Sequence, residues 1–305
     1  MPKPKRFLAF AAVFLQGYAL YAMWTRSLIW PLIWPGERIL YPCVWLLYTL
    51  GYCMLNVMLT SEFVRKTQLE SDLIAARQIQ QILQSTGSVE LPGYELETFY
   101  KPYREVGGDY YDVVELPGNQ TLFAVVDVSG KAMPAALLAA NIQALVRTIA
   151  ANNPDPLVLA AQINGHLSRY TAPERFATAL FVVLNRDSGE LTYVNAGHNA
   201  PILSCSGSTK LLTATGIPLG LFVGARYKTG TAAIASGDAI LLFSDGLTDS
   251  IAADHPEERL RDVLADGSRT SMSRIKSLID PKFNEDDVTV LLVKRTSDPP
   301  AIVAS

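Results

Sequence analysis

The chain has 305 residues, 49% hydrophobic and 18% charged, with a formal net charge of −3. That length holds one large domain plus an apolar segment, and no block of like charge is long enough for a nucleic-acid surface, so nucleic acid is not an expected partner. Cys43 and Cys53 fall in an apolar run and Cys205 stands alone, which fits a reducing compartment and argues against a disulfide framework.

Two charge-free stretches open the chain, "FLAFAAVFLQGYALYAM" from Phe7 and "ILYPCVWLLYTLGYCMLNVMLT" from Ile39. Each is close to the roughly 20 residues that cross a bilayer. Residues 1–61 therefore read as a membrane hairpin with spans at about 7–24 and 39–60. No small-x-small cleavage site with a polar start follows the first stretch, which favours a span over a cleaved leader. Trp24, Trp30, Trp34 and Trp45 lie in or near the connection, where indole rings favour the membrane–water boundary. Lys3, Lys5 and Arg6 precede the first span and Arg65 and Lys66 follow the second, against Arg26, Arg38 and Glu37 between them. This bias places both ends inside.

Residues 62–88 read as a linker helix, with Leu69, Leu73, Ala76 and Leu83 at helical spacing and Ile79 and Ile82 alongside. Such a stripe either pairs with its twin in a homodimer or packs on its own domain. From residue 89 to 297 the pattern changes to strands, at 94–103, 110–116, 121–128, 176–185, 191–197, 227–235, 239–245 and 287–295, and helices at 133–151, 156–170, 256–266 and 268–279. "ILSCSGS" around Cys205 reads as a strand running into a turn. Strands joined by hairpin turns and clustered apart from helices predict an α+β domain built on antiparallel sheets. Residues 298–305 are a tail.

The chemistry-bearing residues are acids at strand ends. Asp109 follows two glycines in "REVGGDYYDVV", Asp127 ends "FAVVDV", Asp245 ends "AILLFSD", and Asp286 and Asp287 open "VTVLLV". Turn and solvent-side acids are one reading. The other starts from the apolar character of these strands, which makes them central, so that their ends meet at the rim of one core. Four acids meeting there would repel each other, with Lys131 among the few nearby bases, and a divalent cation would resolve the repulsion. Hard cations such as magnesium or manganese take oxygen ligands and activate water for attack on phosphorus.

In sequence order, "ARQIQQIL", "GGDYYD", "DVSGKAMPAAL", "ATALFVVLN", "NAGHNAP", "GIPLGL", "LLFSDGLTDS", "EERL" and "DDVTVLLV" together resemble the metal-dependent PPM protein phosphatases, in their bacterial SpoIIE/RsbU-like branch. The resemblance covers about residues 72–295. It implies two antiparallel sheets sandwiched between helices, a site for two divalent cations, manganese or magnesium, and hydrolysis of phosphoserine or phosphothreonine in a protein. Carried over by motif, Asp109, Asp127, Asp245 and Asp286 hold the metals, with Asp127 bridging and the carbonyl of Val128 a further ligand. Asp112 takes a supporting role. Family members act on STAS-type anti-sigma-factor antagonists in partner switching and are often switched through the preceding helix. The expected location is the inner membrane, multi-pass, with the catalytic domain in the cytoplasm and lipid contacted by the hairpin.

Departures from the pattern fall after the bridging acid, where a histidine can serve as proton donor. Here Lys131 stands nearby, to neutralise phosphate or simply be solvated, and Ala132 replaces the usual glycine. His198 in "NAGHNAP" is a candidate catalytic base but reads rather as a turn residue, while His166 in a helix and His255 in a loop lack metal-ligand spacing. Two rival functions remain at this level: a non-catalytic binding module of the same fold, and a diguanylate cyclase, suggested by the first three residues of "GGDYYD".

Overall fold

The computed structural model describes residues 17–18, 21–22, 25, 40–84, 91–171, 174–205, 207–265, 271–283 and 285–296. Most of the first expected span and of its connection lies outside these residues, as does the tail. Two compact units divide the chain, Met1–Asp72 and Leu73–Ser305.

In the first unit, the expected second span and the start of the linker form one uninterrupted helix, α1 (Leu40–Gln84), which continues into the second unit. No glycine-proline break separates the two segments, and Gly51 alone does not interrupt the helix. Between residues 46 and 59 its apolar side chains are exposed all round, with Leu47, Met54 and Met58 at 70%, 77% and 70%.

The second unit contains strands β1 (Tyr94–Lys101), β2 (Asp109–Leu116), β3 (Gln120–Val128), β4 (Ala177–Asn185), β5 (Glu190–Ala196), β6 (Ile202–Cys205), β7 (Ser208–Leu211), β8 (Gly230–Ala233), β9 (Ala239–Phe243) and β10 (Val288–Arg295). Its further helices are α2 (Met133–Asn152), α3 (Pro156–Tyr170), α4 (Asp245–Asp249), α5 (Pro256–Ala265) and α6 (Met272–Lys276). Two five-stranded sheets result, ordered β1-β10-β9-β6-β7 and β2-β3-β4-β5-β8, and their ladders are antiparallel.

Alternation along the strands builds three layers of core. Phe123 and Val125 of β3, Leu180 and Val182 of β4, Leu242 of β9 and Leu291 and Val293 of β10 meet between the sheets. The residues in between face outward: Leu122, Ala124 and Val126 pack under α2 and α3 with Ile142, Val146, Leu159 and Ile163. On the far side Leu241, Phe243, Val290 and Leu292 pack under α4, α5 and α6. This is the expected sandwich of two sheets between helices. Among the described residues α2 is the helix with the length and composition of a membrane span, but Ala135, Ala139, Ile142 and Val146 on one face of it are core.

Three elements differ from the sequence reading. The expected strand 227–235 shrinks to the short edge strand β8, β7 pairs with β6 as a second short hairpin, and "DGLTD" forms α4, so that Asp245 opens a helix rather than ending the strand expected at 239–245. All three are four or five residues long, too short for periodicity to register.

Candidate active site

The two-residue period decides which side chains enter the space between the sheets. Asp127 shares parity with Phe123 and Val125, so it points inward, and Asp109 stands directly opposite it in the β2–β3 register. From the other sheet, Ser244, Asp287 and Thr289 share parity with the inward residues of β9 and β10. The strand ends therefore converge at one end of the inter-sheet core.

Burial raises the Asp109 carboxyl well above the usual range, with Asp127 and Asp287 pushing the same way, while hydrogen bonds from Thr289 and Ser244 oppose the rise. Asp127 is raised to about 7, first by burial and then by Asp245, Asp286 and Asp287, with Lys131 pulling it down. Asp245, at the start of α4, is raised by burial and then by Asp286 and Asp249. Asp127 thus acts on Asp109, Asp245 and Asp286 act on Asp127, and Asp286 acts on Asp245.

Supporting residues hold this arrangement. Thr289 Oγ1 donates to Asp109 Oδ2 at 2.5 Å. Asp287, adjacent to the predicted ligand Asp286, accepts from Tyr103 N at 2.7 Å and Gly108 N at 2.6 Å, so it organises the loop that delivers Asp109. Asp286, one residue away and on the opposite parity, is left to meet the Lys131 ammonium at 3.2 Å. Lys131 is thus engaged rather than merely solvated, and its ammonium also lies 5.6 Å from the centre of the Tyr103 ring.

The glycines of "GGD" serve close approach. A Cβ on Gly107 would collide with Tyr100 Oη and the Asp287 carboxylate, and one on Gly108 would stand 3.2 Å from the Val128 carbonyl, the expected backbone ligand. Gln80 of α1 clasps Gly107 in both directions, donating Nε2 to its carbonyl at 2.8 Å and accepting its N–H on Oε1 at 3.1 Å. Asp112 is structural: it is buried, paired with Arg147 Nε at 2.6 Å, and accepts from Tyr110 Oη at 2.9 Å, which ties α2 to β2.

His198 is not on a solvated turn. It is buried, its backbone N–H donates to Asn195 Oδ1 at 2.8 Å, its ring Nδ1 lies 2.7 Å from Thr178 Oγ1, and burial pushes the imidazole down to about 4. It is neutral at physiological pH, and its partner Thr178 stands opposite Asp127 in the β3–β4 register. His166 stacks near Tyr170 and His255 is exposed in a loop. Ser129, two residues after Asp127, accepts from Phe176 N on its hydroxyl. Ala132 has φ +64° and ψ −150°, a conformation suited to glycine. Reading the sequence alone missed Gln80, Ser244, Asp287 as the loop organiser and Thr289; the alternation of inward residues along β10 was the signal that could have found Thr289.

The predicted donor set of four carboxylates and a backbone carbonyl is all oxygen, which would suit hard divalent cations. Among the described residues no three of His, Cys, Asp and Glu are grouped so as to hold a metal ion as they stand. The fit rests instead on mutual repulsion among buried acids, which a cation would relieve.

The comparisons place this fold. The SiaA-PP2C domain of Pseudomonas aeruginosa superposes with a TM-score of 0.65 at 20% identity, covering 76% of this chain and 98% of that one. The PP2C phosphatase domain of SpoIIE from Bacillus subtilis, with a fragment of its regulatory domain, gives a TM-score of 0.58 at 18% identity, over 68% and 64%. Both share the fold, which a diguanylate cyclase reading does not explain. The phosphoserine phosphatase RsbU of Bacillus subtilis (strain 168) is 27% identical over 184 residues, 60% of this chain and 55% of that protein. The phosphoserine phosphatase RsbP of the same strain is 24% identical over 182 residues, 55% and 45%. The chain spans about half the length of these curated relatives. The profile described as stage II sporulation protein E (SpoIIE) matches residues 117–296, more than half of the chain, which belongs to that family.

Proposed function

We propose that this chain is a metal-dependent protein phosphatase that hydrolyses phosphoserine or phosphothreonine on a regulatory protein, a STAS-type antagonist in a partner-switching pathway. The observation that carries the reading is the convergence of Asp109, Asp127, Asp245 and Asp286 at one end of the sandwich. The names of RsbU and RsbP as phosphoserine phosphatases support it. Asp109, Asp127, Asp245, Asp286 and the Val128 carbonyl hold two divalent cations, manganese or magnesium. When bound, these supply Lewis acidity at phosphorus and an acidified water.

The chain's own residues set the stage for that chemistry. Thr289 and Ser244 fix Asp109 in one rotamer, Asp287 shapes the loop from Tyr103 to Asp109, and Lys131 offsets part of the acid charge at the mouth. His198, buried, with its basicity lowered and its Nδ1 held by Thr178, serves as a structural residue rather than as the base. The exposed apolar surface of α1 between residues 46 and 59 supports an anchor in the membrane, multi-pass, with the phosphatase domain on the cytoplasmic side. The linker part of α1 gates activity, by dimerisation or by rearrangement, through the Gln80 clasp on Gly107. Replacing Leu69 and Leu73 with lysine then changes activity or dimerisation, and no change in either would sink the gating reading.

The deciding experiment follows phosphate release from a phosphoserine peptide with manganese, with chelator, and with Asp127→Asn. Release that needs manganese and vanishes in the variant supports the reading. A folded protein that binds manganese and releases nothing is instead a binding module.

A further inference from the structure

The turn after β3 holds a basic group that the carboxylate cluster does not consume. Arg175, on the segment entering β4, donates Nη1 to the Ser129 carbonyl at 3.2 Å. That segment is laced to the same turn by Ser129 N on Phe176 O at 2.9 Å and by Phe176 N on Ser129 Oγ at 3.0 Å. The guanidinium is therefore anchored one residue beyond Val128 and two beyond Asp127. Gly130 makes room for it: its φ is +100°, and a Cβ there would collide with Nη1.

A guanidinium carries five N–H donors in a rigid fork, and the Ser129 carbonyl occupies one. Among the described residues no carboxylate pairs with Arg175. Lys131, the other anchored cation here, is already engaged by Asp286 and by the Glu285 carbonyl, whereas Arg104 is exposed against the Tyr103 ring. A fixed fork with unspent donors, seated on the turn that follows Asp127, matches a tetrahedral oxyanion that arrives and leaves.

We propose that Arg175 binds the phosphoryl group of the substrate, through the edge of the fork that faces away from Ser129. The proposal rests on the phosphatase reading above. It makes Arg175 a substrate-binding residue with no part in holding the cations.

The test titrates inorganic phosphate calorimetrically into the manganese-loaded full chain in detergent, wild type against Arg175→Ala and Arg175→Lys, with steady-state kinetics on a phosphoserine peptide alongside. Loss of a charge-assisted fork is expected to weaken phosphate binding and raise KM by about tenfold or more, with kcat moved by less than about threefold. Manganese affinity stays unchanged. Arg175→Lys recovers part of the phosphate affinity, because it restores the charge without the planar fork. Should the alanine variant fail to fold, Arg175→Gln keeps a donor for Ser129 and carries the same comparison. Phosphate affinity within about twofold of wild type overturns the proposal, as does joint loss of manganese and phosphate, which would mean that Arg175 only shapes the turn. A wild type that binds manganese and phosphate yet releases nothing from the peptide refutes the phosphatase reading, and the phosphate titration still judges Arg175.

Discussion

Asp127→Asn should stabilise the chelator-treated protein at pH 8, although the same change abolishes the proposed activity. In the fold this carboxyl is raised from 3.8 to about 7, by burial first and then by Asp245, Asp286 and Asp287. A group whose folded pKa exceeds its unfolded one binds more protons in the folded state between the two values. Stability therefore falls as pH climbs from about 4 to about 7 and stays low above that. At ~1.4 kcal/mol for each pH unit between the two values, keeping the charge at pH 8 costs the fold roughly 4 kcal/mol. The neighbouring acids remain and the amide must still be desolvated, so about half of this, ~2 kcal/mol, is the expected gain. For a domain of this size that is a rise of about 4–8 °C in Tm. Thermal unfolding followed by circular dichroism in chelator reads it directly. At pH 4.5 the electrostatic part shrinks to roughly a quarter, and with saturating manganese the sign reverses, because the variant lacks a charge the cations would use. A variant no more stable than wild type at pH 8, or one with an equal gain at pH 4.5, would refute the reasoning.

Thr289→Val keeps the buried shape and removes the hydrogen bond to Asp109; manganese affinity by calorimetry should fall about tenfold, as for loss of a group that orients a ligand, with the binding onset moved to higher pH because one of the forces lowering the Asp109 pKa is gone. Gly107→Ala drives a methyl into Tyr100 and Asp287, and a loss of about 2 kcal/mol in urea unfolding is expected; no loss would mean that the loop yields freely. Ala132→Gly relieves a backbone at φ +64° and ψ −150° and should raise stability by about 1 kcal/mol, or 2–4 °C; a drop would show that the alanine is not strained there. Arg147→Ala leaves Asp112 buried without its partner, and a loss of about 2–3 kcal/mol is expected, smaller than for a wholly buried pair because half of the arginine side chain is already in water.

Much of this molecule is local and so was legible in one chain. Phe123, Val125, Leu180 and Val182 announce central strands because they lie in continuous apolar runs, and α2 and α3 show their packed faces at helical spacing. The order of motifs around Asp109, Asp127, Asp245 and Asp286 identified the family before any contact was known, since each motif lies within a few residues of chain. Short β7, β8 and α4 escaped because four or five residues carry too little period to distinguish strand, helix and turn.

What only the tertiary structure decided is which side chains face each other. Asp286 and Asp287 are neighbours of the same type, yet a one-residue change of parity sends one to Lys131 and the other to the amides of Tyr103 and Gly108. Gln80 reaches Gly107 from a different element, Thr289 reaches Asp109 across 180 positions of sequence, and Arg175 finds its seat through a missing Cβ at Gly130. Sequence spacing carries no information about such pairs, because their proximity depends on sheet register and on how the two sheets stack. The sequence by itself determined the elements and the family; the fold determined which residues hold the acids in place and where the Arg175 guanidinium is anchored.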